Sequence, residues 1–103
     1  MKAAKPYYAV IFSSELSSNA DGYQEMAIQM QELAKKQPGY LGFESAREEI
    51  GISISYWDSL EAITAWKANV DHEAAQKMGI SKWYKSYKVR ICEVQREYDF
   101  KRD

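Results

Sequence analysis

Four short apolar stretches and two amphipathic stretches alternate along the chain and predict an α+β fold. The apolar stretches are bounded by turn residues and carry the alternation that is typical of strands. The amphipathic stretches have helical spacing and follow the first and third strands. The order β-α-β-β-α-β is the ferredoxin-like plan, an antiparallel four-stranded sheet with both helices on one face. At 103 residues, we expect a single domain over 1–103.

The first strand and the first helix occupy the N-terminal third. Segment 7–14, YYAVIFSS, is apolar at both alternating sets of positions, which is typical of a strand covered on both faces. Segment 13–22 is a polar linker, and Asn19 or Asp21 is expected to cap the helix after it. The apolar stripe of that helix consists of Tyr23, Met26, Ala27, Met30, Leu33 and Ala34.

The turn QPGY at 37–40 ends this helix, and two strands follow, at 40–46 and 52–57. In the second of these strands Trp57 has the opposite parity to Ile54 and Tyr56. We therefore expect Trp57 on the sheet face away from the helices. Arg47, in the connection between the strands, is expected to be solvated, although an anionic ligand could use it.

The second helix begins after the third strand. Asp58 and Glu61 have the spacing of a capping box, with Asp58 as the N-cap. A break is expected at 69–71, followed by a short helix over 72–78 that Asp71 caps. The last strand is predicted over 83–100, with a bulge near a buried Cys92, because the apolar residues change parity there.

The doubly apolar first strand also predicts a partner. Two helices cover one side of a four-stranded sheet, so the other side needs a second cover. A second copy of the chain, packed sheet to sheet, is the simplest cover. We therefore expect a homodimer in the form of a dimeric α+β barrel.

Composition excludes several classes of protein. Lys+Arg 14 against Asp+Glu 15 does not predict nucleic-acid binding, and no apolar run reaches the length of a membrane span. One histidine and one cysteine, with no glycine-rich phosphate loop, predict no metal site and no cofactor. A single cysteine and the lack of a secretory leader favour the cytoplasm.

Three motifs carry a family resemblance over roughly residues 7–98. QPGYLGFES after the first helix, SYWDSLEAITAW at the next strand-to-helix junction and H-x-x-A-Q beyond it resemble the antibiotic biosynthesis monooxygenase (ABM) domain. The resemblance implies a ligand pocket between sheet and helices in each subunit of a dimer. Members include cofactor-independent quinol monooxygenases and haem-degrading oxygenases.

The resemblance to the haem-degrading members is partial. Their pocket uses an asparagine on the first strand, a tryptophan on the second helix and a histidine ten residues later. Trp66 matches the tryptophan, whereas Gln76 stands ten residues on and the histidine, His72, comes four residues earlier. The first strand, YYAVIF, has no asparagine. Haem degradation is therefore the second alternative.

The leading hypothesis is a small dimer that oxygenates, or at least binds, a planar aromatic or quinol-like molecule. His72 is the candidate catalytic base, because histidine titrates near neutral pH, and it faces the pocket only if the second helix breaks. Trp66, Tyr84 and Trp83 are the candidate substrate-binding residues, as aromatic walls of the pocket. The first alternative is a non-enzymatic ligand-binding or stress-response module that uses the same pocket.

Overall fold

The computed structural model describes residues 5–77 and 80–103, and the side chains of 72–81 lie outside that description. The predicted order is confirmed, with one extra helical turn before the last strand. The elements are β1 (Tyr7–Leu16), α1 (Tyr23–Lys35), β2 (Tyr40–Arg47), β3 (Gly51–Trp57), α2 (Leu60–Lys77), α3 (Ile80–Trp83) and β4 (Tyr84–Val94). No helix in the described residues is long and apolar enough to cross a membrane.

The four strands form one antiparallel sheet in the order β2-β3-β1-β4. Tyr8 pairs with Trp57 of β3, and Phe12 pairs with Val89 of β4. Side chains of directly paired residues point to the same face. The register therefore defines two faces of the sheet, one of which contains Tyr8, Trp57, Phe12 and Val89.

The hydrophobic core lies between that face and the two helices. Ala34 of α1, Trp57 of β3 and Ile63 of α2 form its buried centre, with at most 5 % of any of them exposed. Tyr8, Val10, Tyr40, Ala62 and Trp66 pack around them. Both helices thus cover the Trp57 face, which is called the helix-facing side below, and the sequence expectation that Trp57 faces away from the helices is wrong.

The caps predicted for α1 and α2 are also wrong. The residue before α1 is Gly22, with φ at 87° and no side-chain cap, so neither Asn19 nor Asp21 caps the helix. At α2 the Ser59 hydroxyl accepts the Ala62 N–H at 3.1 Å. Asp58 is one residue too early, because its own N–H donates to the Gly39 carbonyl at 2.8 Å and belongs to the end of the strand.

Gly39 has a positive φ of 88°, which favours glycine in the turn before β2. A Cβ here would also lie 2.6 Å from the Ala62 Cβ and 2.6 Å from Oδ1 of Asp58. The turn therefore approaches the start of α2 too closely for any side chain.

Helix α2 is continuous from Leu60 to Lys77, so the expected break at 69–71 does not occur. Its sequence contains no proline or glycine that would break a helix. Lys67 and Asp71 form an ion pair across the expected break, with Nζ and Oδ2 3.0 Å apart. Asn69 donates to Oε1 of Gln37 at 3.1 Å and so holds this part of the helix against the turn after α1.

The last strand is shorter than predicted. β4 ends at Val94, and residues 95–103 have no regular secondary structure. The register of β4 is regular through Cys92, which is exposed rather than buried. The bulge lies opposite the start of β4, between Glu15 and Leu16 of β1.

Candidate functional site

The helix-facing side of the sheet has a sealed half and an open half. The sealed half is the core around Trp57, over β2 and β3. The open half lies over β1 and β4, where three side chains of β4 share this face with Phe12. Tyr87, Val89 and Ile91 are 51 %, 47 % and 52 % exposed. Phe12 and these three residues are called the open strip.

Aromatic rings close one end of the open strip. The Phe12 ring stacks on Tyr87 at a centroid distance of 5.3 Å and meets Tyr84 edge-on, also at 5.3 Å. The Tyr84 ring in turn meets Tyr23 of α1 edge-on at 5.7 Å. Such offset and edge-to-face pairs fix ring positions and leave flat apolar surface for a further ring. Phe12, Tyr23, Tyr84 and Tyr87 are called the aromatic cluster.

Arg47, the last residue of β2, places a guanidinium group beside the aromatic cluster. Its Nη2 donates to the buried Ser14 hydroxyl and lies 3.4 Å from the Tyr23 hydroxyl, and its Nη1 lies 3.4 Å from the Ser14 carbonyl oxygen. The guanidinium carbon also lies 5.3 Å from the centre of the Tyr23 ring. A Cβ on the buried Gly51 would overlap this group. The lack of a side chain at Gly51 therefore leaves the space that the guanidinium group occupies.

The charge of Arg47 has an unusual setting. The side chain is half-buried rather than solvated as the sequence suggested. Within the described side chains it forms no ion pair, and its contacts are neutral oxygens and a ring. A buried charge is normally paired, because removing it from water costs several kcal/mol. Among the side chains that the structure describes, the site therefore holds a positive charge without a matching anion.

Tyr84 stays protonated in this setting. Burial, together with the nearby Tyr23, raises the pKa of Tyr84 above its ordinary value, and the positive charge of Arg47 opposes part of that rise. The Tyr84 hydroxyl is therefore a hydrogen-bond donor, and not a base, at physiological pH.

The four residues predicted for the site separate in the structure. Trp66 stacks on Trp57 at 5.7 Å and packs against the core. Trp83 is 6 % exposed, and its Nε1 donates to the Asp21 carbonyl at 2.7 Å, so it holds the loop before α1. Tyr84 belongs to the aromatic cluster. The side chain of His72 lies outside the described residues, and the helix break on which its orientation depended is absent.

Sequence reasoning missed most of the polar end of the site. Arg47 lies two residues after Ser45 and four after Phe43, so extending β2 by one residue would have placed it on the same face. Ser14 likewise continues the alternation of Val10 and Phe12. The sequence did not indicate that these two residues meet, because they are 33 positions apart.

The arrangement suits a flat apolar ring with a polar or anionic edge. The open strip provides apolar surface, and Arg47 with the hydroxyls of Tyr23 and Tyr84 provides donors at one end. Among the described side chains, no group of three His, Cys, Asp or Glu could hold a metal ion. Two surface depressions of about 290 and 320 Å³ lie around Asp58 and Ser59, away from this cluster.

Comparison with known proteins agrees with the fold. The model of the family described as antibiotic biosynthesis monooxygenase matches residues 6–78. The uncharacterized protein YqjZ of Bacillus subtilis is 53 % identical over 94 residues, which cover 89 % of this chain and 82 % of YqjZ.

Two solved structures extend the comparison to more distant proteins. SnoaB, a cofactor-independent oxygenase from Streptomyces nogalater, superposes with a TM-score of 0.67 at 12 % identity, covering 91 % of this chain and 97 % of SnoaB. A mutant of MhuD with two manganese protoporphyrin IX molecules bound per active site gives a TM-score of 0.61 at 22 % identity, covering 91 % and 98 %. At these identities the likeness concerns the fold alone.

Proposed function

The chain belongs to the antibiotic biosynthesis monooxygenase family, and we propose that it binds a planar aromatic or quinol-like molecule on the open strip and oxygenates it with O₂. One observation carries this proposal. The side chains of Tyr87, Val89 and Ile91 remain about half exposed on the face that the helices otherwise cover. An exposed apolar surface rimmed by polar groups is typical of a ligand-binding site.

The proposed chemistry needs little from the protein. A ring system with an acidic CH₂ group loses a proton, and the resulting anion can transfer an electron to O₂. One oxygen atom becomes a carbonyl on that carbon, and the other leaves as water with the two hydrogens of the CH₂ group. With a quinol, one oxygen atom is added to the ring to give a hydroxyquinone, and the other leaves as water with two hydrogens of the quinol. The protein positions the ring, excludes water and stabilises the anion.

The residues divide these tasks. Phe12 and Tyr87 provide the surface for the ring, and the protonated hydroxyl of Tyr84 donates to the oxygen on which negative charge develops. Arg47 stabilises that charge from the polar end. His72 stays the predicted base and Trp66 the predicted wall, and the described contacts of Trp66 are with the core.

Oxygen consumption with a panel of anthrones and small quinols tests the proposal. We expect turnover by the parent protein and a reduction of about 10²- to 10⁴-fold in His72→Ala if His72 is the base. Equal rates in the parent and His72→Ala, on a substrate that the parent accepts, would remove His72 from the mechanism. Phe12→Ala is the matched test of the ring surface, and we expect weaker binding of every substrate.

The same samples separate the alternatives. Tight binding of aromatic molecules without oxygen consumption would favour a non-enzymatic binding module. A Soret band on addition of haem, lost in His72→Ala, would favour a haem-binding oxygenase. Absence of any aromatic binding would refute all three.

We also propose a homodimer packed through the sheet face away from the helices. Ile11, Ile54 and Tyr56 lie on that face, together with Ile52, which is 46 % exposed. In the C-terminal segment 95–103, Tyr98 is 85 % exposed and Phe100 is 80 % exposed, which is far more than aromatic side chains normally are. A second copy of the chain would cover both surfaces.

The oligomeric state tests this arrangement. Light scattering at micromolar concentration should give the mass of a dimer, and Ile54→Lys should give a monomer, because a charge would be buried in the interface. Ile28→Lys on α1, at a side chain that is 62 % exposed, is the control and should stay dimeric. A monomeric parent would overturn the proposal.

The single exposed thiol of Cys92 suits a reducing compartment, which supports a cytoplasmic location.

A further inference from the structure

We propose that Arg47 is the recognition residue for an oxyanion on the aromatic ligand, so that the site selects ring systems bearing a carboxylate or an ionised phenolic oxygen over neutral ones. The inference rests on the proposed function, since it concerns the ligand of the same open strip. To the proposed function it adds two statements: that the ligand is negatively charged, and that Arg47 recognises that charge.

The first argument is the unbalanced charge. Arg47 is half-buried and forms no ion pair within the described side chains, whereas every other lysine and arginine whose side chain the structure describes is exposed to water. A guanidinium group held this way has lost part of its hydration without gaining an anion. A ligand oxyanion would restore that interaction, and hydrogen bonds to charged groups are stronger than neutral ones.

The second argument is that the group is held in place. The Ser14 hydroxyl, on a residue that is 3 % exposed, accepts a hydrogen bond from Nη2 of Arg47. The Tyr23 ring lies against the guanidinium carbon, and the lack of a side chain at Gly51 leaves room for the guanidinium group. A preorganised donor costs little entropy when a ligand binds. A solvated arginine on a loop would not have three such restraints.

The third argument is position. Arg47 contacts Tyr23, Tyr23 contacts Tyr84, and Tyr84 contacts Phe12, so the charge lies at the end of a continuous aromatic surface. A ring bound on this surface with its substituent toward Tyr23 would place that substituent at the guanidinium end. The arrangement thus matches an apolar ring with one anionic edge.

Binding of a matched pair of fluorescent probes tests the inference. The probes are 2-naphthoate and its methyl ester, which share the ring and differ in charge. At neutral pH we expect the parent to bind naphthoate about 10- to 100-fold more tightly than the ester, the range for a hydrogen-bonded charge. Arg47→Gln should weaken binding of naphthoate far more than binding of the ester, and so remove that preference.

Two further variants control for charge and for folding. Lys36→Gln removes one positive charge from an exposed position at the end of α1 and should keep the preference for naphthoate. Arg47→Lys keeps the charge but loses the planar group, so we expect an intermediate preference. Thermal unfolding of each variant reports whether it folds. If Arg47→Gln does not fold, the parent's preference and its reduction in Arg47→Lys decide the matter.

The outcomes separate this inference from the function on which it rests. Equal binding of naphthoate and ester by the parent overturns the oxyanion site but keeps the aromatic site. No binding of either probe overturns both. A third probe, 2-naphthol, distinguishes the source of the anion: a pKa that falls on binding to the parent, but not to Arg47→Gln, identifies a phenolic oxygen, and tight naphthoate binding without such a fall identifies a carboxylate.

Discussion

The sealed and open halves of the helix-facing side are built from the same residue types and differ in what covers them. Around Trp57, three aromatic rings meet at 5.7–5.8 Å and are closed over by Ala34 and Ile63. Around Phe12, rings meet at 5.3–5.7 Å, yet Tyr87 remains half exposed. Ring contacts alone therefore do not distinguish a core from a binding surface, whereas exposure does.

The polar groups differ in the same way. In the sealed half the Trp57 Nε1 donates to the Ser55 hydroxyl at 2.8 Å, and both residues are buried. In the open half a charged group is held by neutral oxygens and has no anion within the described side chains. The buried polar atoms of both halves have partners within the described residues, and the difference is that the open half holds a charged group whose partners are neutral.

Trp57→Ala should have the largest effect on stability. The side chain is 0 % exposed at the centre of the core, so its removal leaves a large cavity, and we expect a loss of about 3–5 kcal/mol in the free energy of unfolding. Urea denaturation of the parent and of Trp57→Ala measures this loss. A loss below 1 kcal/mol would mean that this half is not sealed.

Ser55→Ala should have the second-largest effect. It leaves the buried Nε1 of Trp57 without its acceptor, which costs about 1–3 kcal/mol. Ser53→Ala, on the same strand and face but half-buried, is the matched control and should change stability by about 0.5 kcal/mol or less. Equal losses in the two variants would show that the hydrogen bond to Trp57 contributes nothing.

Tyr87→Ala should affect ligand binding more than stability. Because the ring is half exposed, we expect a loss of about 1 kcal/mol or less in stability, with clearly weaker binding of 2-naphthoate. Chemical denaturation and probe fluorescence on the same variant measure both effects. Unfolding as severe as in Trp57→Ala, or unchanged binding, would contradict the distinction between the two halves.

The smallest effect concerns Tyr56, on the face away from the helices. Its hydroxyl donates to Oε2 of Glu44 at 2.6 Å, and this hydrogen bond, with burial and the carboxylate charge, raises the pKa of Tyr56 to about 12. A raised pKa means that the folded state favours the protonated form. The stabilisation is therefore present below pH 10, the ordinary tyrosine value, and is lost as pH rises toward 12.

Tyr56→Phe tests that pH dependence. The difference in unfolding free energy between the parent and Tyr56→Phe should be small and constant below pH 10 and should shrink between pH 10 and 12. Chemical denaturation at several pH values measures it. A difference that grows with pH in this range would give the opposite sign to the linkage.

The sequence predicted the order of elements well because each depends on local periodicity. It also predicted correctly that Trp57 has the opposite parity to Ile54 and Tyr56. It did not predict which of the two faces meets the helices, because both were apolar enough. In β3, the face that α1 and α2 approach contains the small residues Gly51 and Ser55 together with Trp57, whose ring fills the core.

Local patterns along the chain predicted the order of strands and helices and the two alternating faces of each strand, because alternation and helical spacing are local properties. They did not predict the end of β4 at Val94 or the continuity of α2. Only tertiary packing places Trp66 against the core, Trp83 against the loop before α1 and Tyr84 beside Phe12. It alone brought Arg47 to Ser14, 33 residues away, and Gly51 beneath the guanidinium group. The reason is physical: periodicity fixes which side chains point the same way, but only packing between distant segments decides which surface is covered and which charge has no counterion among the described side chains.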